Sequence, residues 1–183
     1  MHFTSRESKI SVPYGLSESE LVLLAVNGDE IAFEAIMRRH NQLMFRTARS
    51  VVRNDADAEE VVQEAWMRAW RALGGFRAES QLSTWLVRIT TNEALGRLRR
   101  KSAQVIPLEA AMTSTDSESR MALTEDAERD PERSVERLQM RNLIETRIDL
   151  LPDAFRTVFV LRAIEELSVE ETARALDIPE ATV

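Results

Sequence analysis

An apolar series at Val62, Ala65, Trp66, Ala69, Trp70 and Leu73 steps by three and four without a miss. A strand alternates its faces every second residue and cannot use that spacing, whereas an α-helix gathers all six side chains on one side. The surrounding charges are ordered too, with Asp57, Glu59, Glu60 and Glu64 ahead of Arg68 and Arg71. That order complements the helix dipole, and Gly74-Gly75 supplies a stop. A helix with so wide an apolar stripe must bury it against other helices. The chain has only 5 Gly and 5 Pro in 183 residues, too few for the turns of a many-stranded sandwich or barrel.

The partner helices are legible around it. Ser17 with Glu20 is a capping-box pattern that predicts a short helix over 17–26, closed by the turn Asn27-Gly28-Asp29. A long helix follows over 30–52, with Phe33, Ile36, Met37, Met44, Ala48 and Val51 inward, and Arg53-Asn54-Asp55 breaks it. After the loop 76–80, a fourth helix is expected over 81–101, with Leu82, Trp85, Leu86 and Ile89 inward. Residues 103–134 carry Arg120, Arg129 and Arg133 against a large excess of carboxylates and show no apolar period, which predicts a flexible acidic linker. From residue 135 a second unit begins. Leu138, Leu143, Ile144, Ile148 and Leu151 line a helix that stops before Pro152. A short helix over 153–162 offers Phe155, Val158, Phe159 and Leu161. Ser168 and Glu171 form another capping box, opening a helix to Leu176 with Val169, Ala173 and Leu176 inward. Asp177-Ile178-Pro179 turns the chain, and 179–183 reads as one more first helical turn. The expected fold is all-α, with two small helical domains joined by a flexible acidic linker: an arm over 1–16, a bundle over 17–102, the linker over 103–134 and a helix-turn-helix unit over 135–183.

Composition removes several chemistries. Cys is absent, which excludes disulfides, thiolate metal sites and thiol catalysis. His2 and His40 stand far apart and unsupported, so no metal, cofactor or catalytic base is predicted. Glu60 and Glu64 lie one turn apart, but no His, Lys or glycine-rich loop joins them, and a polar docking face of Glu60, Gln63, Glu64 and Arg68 is the better reading than an enzyme site. No apolar run approaches the roughly 20 residues that span a bilayer, and residues 1–9 hold no signal-peptide core, so the expected location is cytoplasmic.

A net charge of −7 argues against a simple nucleic-acid coat, but the distribution matters more. Arg88, Arg97, Arg99, Arg100 and Lys101 crowd the fourth helix against Glu93 alone. From charge alone this is either a solvated, dipole-stabilised helix end or a phosphate contact. The neighbouring loop adds Phe76, Arg77, Glu79 and Ser80, the aromatic, cationic and hydrogen-bonding parts that hold single-stranded bases. The 168–183 segment has helix-turn-helix grammar, which fits duplex DNA binding and also an ordinary helical hairpin. Three classes stay open at this level: a DNA-binding subunit of a larger machine, a stand-alone helix-turn-helix regulator, and a helical protein–protein adaptor.

Taken together, the runs 57–66, 76–80 and 83–92, then Leu150-Leu151-Pro152 with 155–162, then 168–173 and 178–183, resemble bacterial extracytoplasmic-function (ECF, group 4) sigma factors of RNA polymerase. They are similar to region 2 and region 4 of that family, in the family's order. The resemblance implies that Glu60, Gln63 and Glu64 dock on the clamp helices of core RNA polymerase. It implies that Phe76, Arg77, Glu79 and Ser80 capture an unstacked base of the −10 element. Trp85, Arg88, Asn92, Arg97, Arg99, Arg100 and Lys101 would assist melting or hold that single strand. Ser168, Thr172, Pro179, Glu180 and Thr182 would belong to the −35 reader, and region 4 would also meet the polymerase flap. A cognate anti-sigma factor is an expected partner, and without Cys the sensing would lie in that partner. Two departures from the family pattern stand out: Asp177 stands where the turn usually has Gly, and Ala78-Glu79 where Gly-Asp is common. The sequence ends at Val183, inside the recognition helix, so a C-terminally truncated region 4 with weak −35 binding is expected.

Overall fold

The structure is a computed structural model that describes residues 15–104, 139–140 and 143–183. Nearly all of the predicted arm, the linker beyond residue 104 and the start of the 135–151 helix lie outside the described residues.

Four helices build the first unit: α1 (Glu18–Val26), α2 (Glu30–Val52), α3 (Asp55–Ala72) and α4 (Leu82–Gln104). Each start is made by the residue the sequence offers for it. Ser17 caps α1 with both capping-box bonds in place, and Asp29 Oδ1 accepts from the Ile31 and Ala32 amides at 2.9 and 3.1 Å. Asn54 caps α3 by accepting from the Asp57 amide at 2.8 Å. Gly28 takes φ 90 in the turn before α2, a conformation that a Cβ resists. The inward stripes meet in one core that holds Leu21, Ile36, Met44, Val62, Trp66, Leu73, Leu86 and Ile89. Trp66 is fixed at both ends: its ring meets Phe33 edge-on at 5.7 Å, and its Nε1 donates to Asn41 Oδ1 at 3.1 Å.

The second unit contains α5 (143–149), α6 (Asp153–Phe159), a π-helical turn over Val160–Ile164, α7 (Val169–Leu176) and a 3-10 turn over Glu180–Thr182. Ser168 and Glu171 form the predicted capping box, and Asp177 closes α7 in the left-handed region at φ 56, the role the usual Gly would fill.

Several expectations are corrected. Trp70 is 40% exposed rather than core, resting on Phe33 with ring centres 4.7 Å apart. The fourth helix runs on to Gln104, past the predicted end at 101. The 153–162 helix is α-helical only to Phe159. Leu143, Ile144, Phe155, Phe159 and Val169 are exposed, not inward. The reason at α6 is Arg156. Its guanidinium is fully buried, with Nη1 donating to the Ser50 carbonyl at 3.1 Å and Nη2 to the Leu151 carbonyl at 3.0 Å. With Arg156 and Val160 turned inward one turn apart, Phe155 and Phe159 must share an outer face.

Candidate nucleic-acid interface

Helices α3 and α4 pack side by side and are joined by the loop that sequence reasoning singled out. On α3, Glu60, Gln63 and Glu64 all point to solvent, clear of the buried Val61, Val62, Ala65 and Trp66. On α4, Arg88, Asn92 and Arg99 are exposed at helical spacing, so they form one open row. In the loop, Phe76 is half-buried and its ring tilts at 50° against Trp85, 5.2 Å between centres. Arg77 and Glu79 are exposed beside this aromatic pair. Ala78 sits at φ 55, where a non-glycine residue costs about 1 kcal/mol or more. The loop therefore carries local strain at the point where the resemblance places base capture.

The basic end of α4 is not uniformly free. Asp57, at the start of α3, accepts from Arg97 Nε at 2.8 Å and from its Nη2 at 2.7 Å. Lys101 also pairs with Asp57, and Arg97 reaches Glu60 at 2.6 Å. Burial alone would raise the Asp57 carboxyl, but hydrogen bonds from Asn54, Lys101 and Arg97 outweigh it and hold it down at about 2. Arg97 and Lys101, expected as strand contacts, are thus partly neutralised, and Glu60, expected as a docking group, is tied to Arg97. Arg99 and Arg100 remain exposed. Sequence reasoning counted Asp57 only as one acid of the helix front. Its partners lie 40 and 44 residues away in sequence, beyond the reach of any local pattern.

In the second unit, Ser168 spends its hydroxyl on the cap, accepting from the Glu171 amide at 3.1 Å. Thr172 is fully buried and is not presented to a ligand in this arrangement, because it faces the packed side of α7. Pro179, Glu180 and Thr182 are exposed on the last turn. No group of His, Cys, Asp or Glu among the described residues could hold a metal ion, and none of their helices is long and apolar enough to cross a membrane.

Two family models match: Sigma-70 region 2 over residues 36–104 and Sigma-70, region 4 over residues 141–183. The chain is 34% identical to the ECF RNA polymerase sigma factor SigW of Bacillus subtilis over 156 residues, 85% of this chain and 83% of that one. It is 36% identical over 168 residues to SigM of Mycobacterium tuberculosis, 91% of this chain and 77% of that one. It is 34% identical over 173 residues to the ECF sigma-E factor of Escherichia coli K12, 92% of this chain and 87% of that one. The solved structure of CnrH, in complex with the cytosolic domain of CnrY, shares the fold at a TM-score of 0.59 and 24% identity, covering 90% of this chain and 85% of that one.

Proposed function

The chain belongs to the ECF sigma factors of RNA polymerase and directs promoter recognition; from that premise we propose how its residues divide the work. Gln63 and Glu64, with Glu60 at the edge, dock on the clamp helices of core polymerase. The 76–80 loop takes up an unstacked base of the −10 non-template strand against the Phe76–Trp85 pair. Arg88, Asn92, Arg99 and Arg100 hold the strand, while Arg97 and Lys101 serve first to pin α4 to α3. Pro179, Glu180 and Thr182 lie on the −35 side, and region 4 meets the flap. Residues 17–102 are the region-2 domain, 103–134 the linker and 135–183 the region-4 domain. The protein works as a non-catalytic subunit in the cytoplasm, and an anti-sigma factor supplies its regulation.

The observation that carries this reading is the common anchoring of two different faces. Asp57 ties the docking helix α3 to the strand-binding helix α4, so polymerase docking fixes where the aromatic loop and the open row on α4 lie. The test is Gln63→Ala with Glu64→Ala. Both side chains lie off the core, so the melting temperature should hold while affinity for core polymerase drops by about 2 kcal/mol, roughly thirtyfold. Unchanged affinity removes α3 from the interface. A lowered melting temperature assigns these side chains to structure instead.

A further inference from the structure

Gly96 stands inside α4, away from both ends of the helix Leu82–Gln104. After Pro, glycine is the costliest residue in a helix interior, because it has the most backbone freedom to lose. Three structural demands can keep a glycine in such a place, and none acts here. A left-handed backbone favours Gly, as at Gly28, but Gly96 is not among the positive-φ residues. A helix C-cap favours Gly, but α4 runs on past residue 96. A close crossing of two elements favours Gly, but a Cβ built at Gly96 would touch no neighbouring element among the described residues. Apart from the helix backbone and the two adjoining residues, it would meet only Arg100 Nη1 at 3.5 Å and Arg99 Nη2 at 3.9 Å.

The surroundings of Gly96 are therefore two guanidinium tips. Helical side chains lean toward the N-terminus, so Arg99 and Arg100 reach back over the turn that holds Gly96. They come from three and four residues on, and both converge on the bare Cα. Glu60, Glu64 and Glu93 stand nearby and line a narrow cleft with Arg97 and Arg100. Two of these acids are already engaged, Glu60 with Arg97 at 2.6 Å and Glu93 with Arg68 at 2.7 Å. Among the described residues neither Arg99 nor Arg100 forms an ion pair, so their charge is available to a ligand.

The place along the helix fits a nucleic-acid strand. Trp85, Arg88, Asn92 and Gly96 follow one another by steps of three and four, so they share one side of α4. Trp85 packs on Phe76 at the 76–80 loop. From Trp85 to Gly96 the helix rises about 16 Å, which a stacked strand covers in about five nucleotides. The guanidinium is the planar donor that matches a phosphate, two oxygens at a time. With no Cβ in the way, a phosphate oxygen can rest against the Gly96 Cα at about 3.3–3.6 Å. A methyl group would push it outward by about 1.5 Å, the length of one carbon–carbon bond, and away from both arginines.

We propose that Gly96 is the seat of one phosphate of the −10 strand: the sugar–phosphate backbone touches the bare helix there, between the Arg99 and Arg100 guanidiniums, and this contact sets how the strand lies beyond the base held at the 76–80 loop. This rests on the strand-binding reading of α4. Gly96 is a positioning residue; the arginines supply the charge and the glycine supplies the distance. The test uses the full chain bound to core polymerase and an anisotropy titration with a labelled −10 non-template oligonucleotide. A companion set of oligonucleotides replaces each phosphate near the captured base, one at a time, by an uncharged methylphosphonate. Gly96→Ala should raise the melting temperature of the free chain by a few degrees, because Ala is the better helix former. It should leave affinity for core polymerase unchanged and weaken strand binding about tenfold, the worth of one charge-assisted contact. In the wild type one methylphosphonate position should cost about the same factor, and that position should cost nothing further in Gly96→Ala. Equal strand affinity of the two proteins, the same methylphosphonate losses in both, a lowered melting temperature or a fall in polymerase affinity each overturns the seat and leaves the strand reading of α4 standing. A wild-type complex that does not bind the strand removes that reading, and the seat with it.

Discussion

Residues 18–104 and 143–183 both bury helical faces, but they do so with different means. The first unit packs large side chains such as Leu21, Ile36, Met44, Trp66 and Leu86 from four helices into one core of its own. Among the described residues the second buries a smaller set, Val160, Leu161, Leu167, Ala173 and Ala175, and Leu161, Leu167 and Ala175 share their cluster with Leu43 and Val87 from the first. It buries a guanidinium and leaves Leu143, Ile144, Phe155 and Phe159 outside. Region 2 is therefore a self-supporting scaffold, and region 4 draws much of its order from the surface it rests on. Exposed apolar side chains of that size suit a unit that exchanges one partner surface for another.

The largest effect should come from the scaffold. Trp66→Ala removes a ring that is 5% exposed and its bond to Asn41, and should cost about 3–5 kcal/mol in denaturant unfolding. A loss below about 1 kcal/mol would mean the region-2 core is not what holds the molecule together. Arg156→Ala should cost less, about 2–3 kcal/mol, because the buried Ser50 carbonyl and the part-buried Leu151 carbonyl lose their donor. Its loss of hydrogen-exchange protection should be confined to 143–183. Equal loss in α2 and α3 would show one cooperative unit and dissolve the comparison.

Asp57→Asn comes next. The carboxyl is held at about 2, below its ordinary value near 4, so its stabilisation is complete above pH ~4 and is lost as pH falls through ~2. The contribution is on the order of 1–2 kcal/mol, reduced by the exposure of Lys101. The variant should unfold more readily at pH 7 and show a shallower acid dependence between pH 4 and 2. By freeing Arg97 and Lys101 it should also steepen the salt dependence of strand binding by about one or two counterions. An unchanged acid limb would show that Asp57 is not the anchor. The smallest effect belongs to Ala78→Gly. Relief at φ 55 and the added freedom of the unfolded chain oppose each other, leaving a net change of about 0.5 kcal/mol or less in unfolding free energy.

The contrast also explains what could be read from the residues alone. Region 2 was legible because long helices repeat their period many times. The α2 bounds at Glu30–Val52 and the caps at Ser17 and Ser168 match the expectation. The polar faces of α3 and α4 were legible for the same reason, and the 76–80 loop was legible from its residue types. α6 was misread because seven residues hold too few turns to separate faces, and a buried Arg defeats any rule that places charge outside. Trp70 was misread because its spacing fits the stripe while it lies at the edge of the buried face formed by Val61, Val62, Ala65, Trp66, Ala69 and Leu73. The Asp57 anchor and the interdomain seam depend on contacts between distant segments, which periodicity does not encode.

The central claim is that the 76–80 loop and the open row on α4 read one DNA strand once polymerase is docked. It is tested by an anisotropy titration of a labelled −10 non-template strand and a scrambled strand of equal composition, with core polymerase present. The expected result is preference for the −10 strand, weakening as salt rises, and a loss of about 1–3 kcal/mol on Arg88→Ala with Asn92→Ala. Equal binding of the scrambled strand, or a double variant indistinguishable from wild type, would contradict it.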